Sequence, residues 1–193
     1  MSIAPAGHVG PWTIEDVEGL PDHGDHARYE LLTAGVLTVT PAPGHLHQRA
    51  SYRLAGRLEA AVTAADAPFE MFENVNVEIP GGRLTVPDIA LIDRAVSAAT
   101  TSISRFPGSS VLLAVEIVSP NSHPQDRIIK PQIYAEAGIE FYWRLELEKR
   151  PHLIAFKLSN RKYRRTLTAL GGVVSAIEEP FPLQLDPAAL IQQ

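Results

Sequence analysis

Glu116 is the only charged residue in the run Val111-Leu112-Leu113-Ala114-Val115-Glu116-Ile117-Val118. Burying a carboxylate there is costly unless a positive group meets it. Twenty-eight residues upstream, Asp88 stands in Leu84-Thr85-Val86-Pro87-Asp88-Ile89-Ala90-Leu91-Ile92, again between apolar or small neighbours. Two acids so placed suggest one shared cation, and carboxylate oxygens suit a hard divalent ion such as Mg2+ or Mn2+. Downstream, Asp126, Lys130 and Tyr134 recur every four residues, which sets them along one face of a helix. Such a helix returns an ammonium to the two acids, where it can orient a water or stabilise charge. The backbone carbonyl of Ile117, held between Glu116 and Val118, is placed to ligate the same ion. The chemistry that fits is metal-assisted attack on phosphate, in which the cation acidifies a water and offsets charge building on phosphoryl oxygens.

Each residue also has a plainer reading. Asp88 alone could cap a loop at a strand end, and Glu116 alone could form a buried ion pair with an arginine. Lys130 alone is an ordinary solvated helix residue, or an i,i+4 partner of Asp126. His45 and His47 could share a zinc ion from a strand, but on a helix they point apart, and His47 then lines the edge of the cleft while His123 is a loop residue. Tyr142 and Trp143 are either core or base-stacking side chains. The chain has no Gly-x-Ser-x-Gly elbow and no phosphate-binding glycine loop, which removes serine hydrolases and nucleoside triphosphatases. Paired carboxylates acting on sugars would need more sugar-stacking aromatics than a 7% aromatic content supplies.

The elements that must position these residues can be read from periodicity. Thr13 caps a short helix that Gly19 and Pro21 stop. Arg28 to Leu32 and Val36 to Thr40 form a hairpin around Thr33-Ala34-Gly35, with Glu30 on its first strand. From about His45 to Ala65, the spacing of Leu46, Ala50, Leu54, Leu58 and Ala61 predicts the longest helix, packed on a sheet. Val75, Val77 and Ile79 alternate with polar residues, and Pro80-Gly81-Gly82 turns that strand into the Asp88 segment. Residues 93 to 110 show no clear period and read as loop around a short helix. The Glu116 run is a central strand covered on both faces, neighbouring that of Asp88. Ser119-Pro120-Asn121-Ser122 breaks the sheet, and a helix follows to Ala137, kinked at Pro131 and ended by Gly138. Strands at Glu140 to Leu147, His152 to Leu158 and Lys162 to Thr168 close the chain, with turns at Lys149-Arg150-Pro151 and Ser159-Asn160.

The 193 residues, 45% hydrophobic and 20% charged, suit one soluble domain spanning 1–193. Without cysteine there is neither a disulfide framework nor a thiolate zinc site. Met1-Ser2-Ile3-Ala4-Pro5 opens no targeting segment and no run is long enough to span a membrane, so a cytoplasmic protein is expected. The formal charge of -5 argues against tight non-specific binding to nucleic acid. The densest basic cluster, Arg161, Lys162, Arg164 and Arg165, alternates along its strand, with 162 and 164 on one face and 161 and 165 on the other. Its plain reading is a solvated hairpin.

The residues Tyr29-Glu30-Leu31 with Gly35, His47-Gln48, Pro87-Asp88, Glu116-Ile117-Val118-Ser119-Pro120, Asp126, Lys130, Tyr134, Ala137-Gly138-Ile139 and Tyr142-Trp143 carry a resemblance over nearly the whole chain. In their order and spacing they resemble the Uma-type restriction endonucleases of the PD-(D/E)XK nuclease superfamily. The resemblance implies an α/β (α+β) fold: a restriction-endonuclease-like mixed β-sheet flanked by helices, with an N-terminal hairpin and C-terminal antiparallel strands. It also implies Asp88 and Glu116 as metal ligands in a nuclease-like site, with Glu30 and Tyr134 in supporting roles. The superfamily places a lysine two residues after the second acid, where this chain has Val118, so that role passes to Lys130. At Glu146 an aspartate is commoner. The expected activity is endonucleolytic hydrolysis of DNA with Mg2+ or Mn2+, and cutting both strands would pair two copies as a homodimer. The rival expectation is a binding or assembly module that keeps the fold without cutting.

Overall fold

The computed structural model describes residues 8–21, 27–99, 104–118, 125–148 and 150–192, the side chains of 125 and 126 excepted. Helix α1 (Ile14–Glu18) starts at a capping box, in which the Thr13 hydroxyl accepts from the Asp16 amide and the Asp16 carboxylate accepts from the Thr13 amide. Strands β1 (Arg28–Thr33) and β2 (Val36–Thr40) form the expected hairpin. Gly35 turns it at φ +78°, where a Cβ would lie 2.9 Å from that of Pro11. Helix α2 (His45–Ala64) follows, then β3 (Phe69–Glu73), β4 (Asn76–Ile79), β5 (Arg83–Thr85) and β6 (Ile89–Asp93). Short helix α3 (Arg94–Ala98), β7 (Arg105–Pro107) and a 3-10 turn lead into β8 (Val111–Val118). A π-helical turn (Gln125–Ile129) runs into α4 (Lys130–Ala137), which ends at left-handed Gly138. Strands β9 (Phe141–Glu146), β10 (His152–Ser159), β11 (Lys162–Leu170), β12 (Ser175–Ile177) and β13 (Leu183–Leu185) complete the strands.

The main sheet has the order β11-β10-β9-β8-β6-β3 and is antiparallel except for the parallel pair β8 and β9. A second sheet, β2-β1-β5-β4-β7, is antiparallel except for β4 and β7, and β12 pairs with β13 alone. Along β8, Leu113, Val115 and Ile117 face the core that contains Leu54 and Leu58 of α2, while Ala114 faces the core that contains Ile133 and Tyr134 of α4. Cover on both faces explains the unbroken apolar run around Glu116. Tyr142 and Trp143 are both buried in these cores, which settles them as packing residues. Among the described residues, no helix is long and apolar enough to cross a membrane.

Several expectations shift. The buried face of α2 begins at His47, whereas Leu46 is 42% exposed. At 100° per residue, Leu46 falls about 110° from the centre of that face. Strand β3 and the β12–β13 pair had no legible pattern, because they are short and lie at sheet edges. Residues 93 to 110 hold α3 and the short strand β7, with 100–103 outside the described residues. Asp88 does not lie on a strand. The chain leaves β5 in one sheet and enters β6 in the other across Val86-Pro87-Asp88, and Asp88 stands at that crossing. Ile89 pairs with Val115, so continuing that antiparallel ladder by one step brings Asp88 opposite Glu116. Pro131 also stands elsewhere in its helix than expected. Pro131 sits in the first turn of α4, where its missing N–H costs nothing, and the irregularity falls on the π turn before it. The Asp126 side chain, Ser119-Pro120-Asn121-Ser122, His123 and Lys149 lie outside the described residues, as does Met1-Ser2-Ile3-Ala4-Pro5.

Candidate active site

Asp88, 2% exposed, is held by donors from three separate segments. Its Oδ2 accepts the Ile117 amide at 2.6 Å and lies 3.2 Å from His47 Nε2, while its Oδ1 accepts Arg28 Nη1 at 2.5 Å. The other Arg28 nitrogen donates to the side-chain oxygen of Asn74, whose amide in turn donates to the Asp88 carbonyl at 3.2 Å. Burial pushes the Asp88 carboxyl up, but the hydrogen bond and charge of His47, with the charges of Arg28 and Lys130, outweigh it and hold it well below the usual carboxylate range. A carboxylate oxygen only accepts, so His47 Nε2 is the donor. Nδ1 is then a buried nitrogen with no hydrogen-bond partner.

Glu116 has a different set of partners. Its Oε1 accepts from Tyr134 Oη and its Oε2 from Lys130 Nζ at 3.1 Å. Lys130 Nζ also lies 3.0 Å from Glu30 Oε1, an oxygen that accepts the Val86 amide at 2.8 Å and Thr85 Oγ1 at 3.0 Å. One ammonium therefore bridges two carboxylates, with all three side chains at most 4% exposed. Lys130 and Tyr134 reach the same carboxylate because they are one turn apart on α4. Burial first, then the Glu116 charge, drives the Tyr134 phenol well above its ordinary value, which keeps it a hydrogen donor.

Three carboxylates, Glu30, Asp88 and Glu116, thus face two permanent cations, Arg28 and Lys130, and a net negative charge remains when His47 is neutral. The Ile117 amide turns toward Asp88, whereas the Val118 carbonyl accepts from Leu147 on the β9 side. Because N–H and C=O of one strand residue point to the same edge, the Ile117 carbonyl faces the Asp88 side too. Among the described residues no three His, Asp or Glu side chains gather around one point. Two carboxylates and a carbonyl still match Mg2+, which keeps several waters and takes phosphate oxygens in place of a full protein cage. Beside the site opens a cleft of about 590 Å3, lined by Arg28, Gln48, Asn74 and Asn76 among others.

The structure brings together Asp88, Glu116, Ile117, Lys130, Glu30 and Tyr134. Sequence reasoning missed Arg28 and Thr85 and gave His47 only the cleft edge. Arg28 stands two residues before Glu30 and so shares its strand face, a signal legible in the alternation of that strand. Thr85 has no comparable signal, since only the packing of β5 against β1 and α4 sets its hydroxyl between Glu30 and Tyr134, at 3.2 Å from the phenol. Glu146 accepts Arg127 in a bidentate pair at 3.1 and 2.8 Å.

Residues 14–189 match the profile of the Uma2 family, described as "Putative restriction endonuclease". No curated protein matches the chain. Among solved structures, the crystal structure of a "putative nuclease" belonging to DUF820 from Anabaena variabilis is similar, with a TM-score of 0.68 at 16% identity, covering 94% of this chain and 98% of that one. At that identity the likeness is one of fold, a mixed α+β architecture with sheets flanked by helices. The family match spans most of the sequence and includes Asp88, Glu116 and Lys130, and the chain belongs to the Uma2 family of putative restriction endonucleases.

Proposed function

We propose that the protein is a Mg2+- or Mn2+-dependent endonuclease that hydrolyses phosphodiester bonds in DNA, with residues 1–193 acting as one restriction-endonuclease-like domain in the cytoplasm. The observation that carries this reading is that Asp88, just before β6, comes opposite Glu116 of β8 along their continued ladder, with the Lys130 ammonium on Glu116. Asp88, Glu116 and the Ile117 carbonyl would hold the cation. When bound, it supplies Lewis acidity, offsetting charge on the phosphoryl oxygens and making water a better acid. Lys130 orients the attacking water and carries positive charge toward the reacting phosphate. Glu30 fixes the Lys130 amine, and Tyr134 fixes one oxygen of Glu116 so that the other stays aimed at the lysine. Arg28, at the cleft wall, is suited to meet a phosphate oxygen once it leaves Asp88. Double-strand cutting would use a two-fold homodimer.

A titration of Mn2+ by calorimetry tests the metal site: the wild type binds, and Asp88→Ala and Glu116→Ala each weaken binding at least tenfold. Unchanged binding in both variants would remove the metal from the site. Plasmid nicking with Mn2+ tests the activity. A second reading, a binding or assembly module that retains the fold, is favoured by one observation: Arg28 and Lys130 already form ion pairs with both acids. Metal binding without nicking would select it.

A further inference from the structure

A second cleft, of about 460 Å3, lies against the face of α4 that points away from the carboxylates. Pro131 and Gln132 form one wall, and the floor is aromatic, with Tyr142 set 5.5 Å from both Phe156 and Tyr163 between ring centroids. Arg144 lines its inner end and lies over the Phe156 ring at 5.8 Å. Arg144 also pairs in register with Glu116 across β8 and β9, so the cleft begins one strand away from the candidate active site. Arg127 and Arg144 are committed to Glu146, the latter at 2.8 Å without hydrogen-bond alignment. The uncompensated charge lies at the outer end. Arg161, Lys162, Arg164 and Arg165 are all exposed and none forms an ion pair among the described residues. Arg161 and Lys162 line the cleft from the hairpin end, Lys162 beside the turn although it alternates onto the face of Arg164, and Arg165 lies on the cleft face because it pairs with Phe156 while Arg164 pairs with Lys157. A cationic rim over the half-buried rings of Phe156 and Tyr163, which rest on the buried Tyr142, in a chain of net charge -5, matches a polyanion that also presents flat rings. From β8 to β11 the sheet spans about 14 Å, the rise of roughly four phosphates along one strand of duplex DNA.

We propose that the cleft between α4 and the β10–β11 hairpin is a second substrate subsite, in which Arg161, Lys162 and Arg165 hold the phosphate backbone of a DNA strand leading away from the carboxylates. The proposal rests on the nuclease reading for its ligand. Binding of a fluorescently labelled DNA 20-mer, single-stranded and duplex, is measured by anisotropy in EDTA from low to moderate NaCl, so that no cleavage intervenes. At about 0.9 in log-log salt slope per phosphate contact, the Arg161→Gln, Lys162→Gln, Arg165→Gln triple variant loses about two to three units of slope. Arg164→Gln, on the opposite face, keeps the wild-type slope. All four positions are exposed, so the thermal midpoint stays at the wild-type value and certifies the fold. Equal slopes for the wild type and the triple variant overturn the subsite alone. Equal losses for the triple variant and Arg164→Gln overturn it as a defined groove. Labelled poly-glutamate binding as tightly as DNA, with the same loss, overturns DNA as the occupant. Absence of DNA binding by the wild type at the lowest salt overturns the subsite together with the DNA substrate, and nicking by the wild type scores the nuclease reading separately.

Discussion

Lys130→Met removes the one ammonium that two buried carboxylates share, 3.0 Å from Glu30 and 3.1 Å from Glu116. At an effective dielectric constant near 20, each attraction is about 5 kcal/mol, and breaking a buried pair typically costs about 3–5 kcal/mol in net stability. Glu30 keeps the Val86 amide and the Thr85 hydroxyl, and Glu116 keeps Tyr134, so the lower end, about 3 kcal/mol, is expected. With a urea slope near 2 kcal/mol/M, the unfolding midpoint falls by about 1.5 M. Urea denaturation followed by circular dichroism reads this directly. Losing Lys130 also makes the site more negative by a full charge, so Mn2+ should bind the variant more tightly than the wild type. At a hundredfold excess over its dissociation constant, a ligand stabilises by about 2.7 kcal/mol, enough to restore most of the loss. A midpoint shift below about 0.5 M, or equal stabilisation of both proteins by Mn2+, would refute the idea that Lys130 is the cation these two acids share.

Arg28→Gln frees Oδ1 of Asp88, and calorimetry should show Mn2+ binding at least tenfold tighter; weaker binding would mean that Arg28 helps to hold the ion. Asp88 has a folded pKa below its ordinary value, so its contribution to stability is present above the unfolded value near 3.8 and is lost as pH falls through the folded one. Urea midpoints taken from pH 5 downward should therefore fall more steeply for the wild type than for Asp88→Asn, and parallel curves would contradict that linkage. Tyr134→Phe leaves a buried carboxylate oxygen short of a donor and should cost about 1.5–3 kcal/mol in urea unfolding, with no loss marking the bond as unimportant. Burial raises both the Tyr134 and Tyr163 phenols far above the ordinary value, so ultraviolet titration of Tyr134→Phe or Tyr163→Phe should match the wild type up to pH 11, and a missing phenolate signal in either would contradict it.

The features that the sequence determined by itself are local or periodic. The cap at Thr13, the glycine turns at Gly35 and Gly138, the length of α2 and the central place of β8 follow from residue types within a few positions of one another. Glu116 declared its need for a partner by the cost of burial, and the spacing of Lys130 and Tyr134 set both on one helix face, which the packing of α4 on β8 then turns to it. What joins Asp88 to Arg28, 60 residues away, has no such local trace. It arises because the chain changes sheets at Val86-Pro87-Asp88, which carries an acid from one hairpin into the gap between β1, α2 and β8. The π turn before Lys130 and the meeting of His47 with Asp88 are likewise decided by packing, since backbone irregularity and the rotation of a helix end depend on what lies across from them. Sequence made the two carboxylates conspicuous, and the crossing between the sheets set Asp88 opposite Glu116 along the continued β6–β8 ladder.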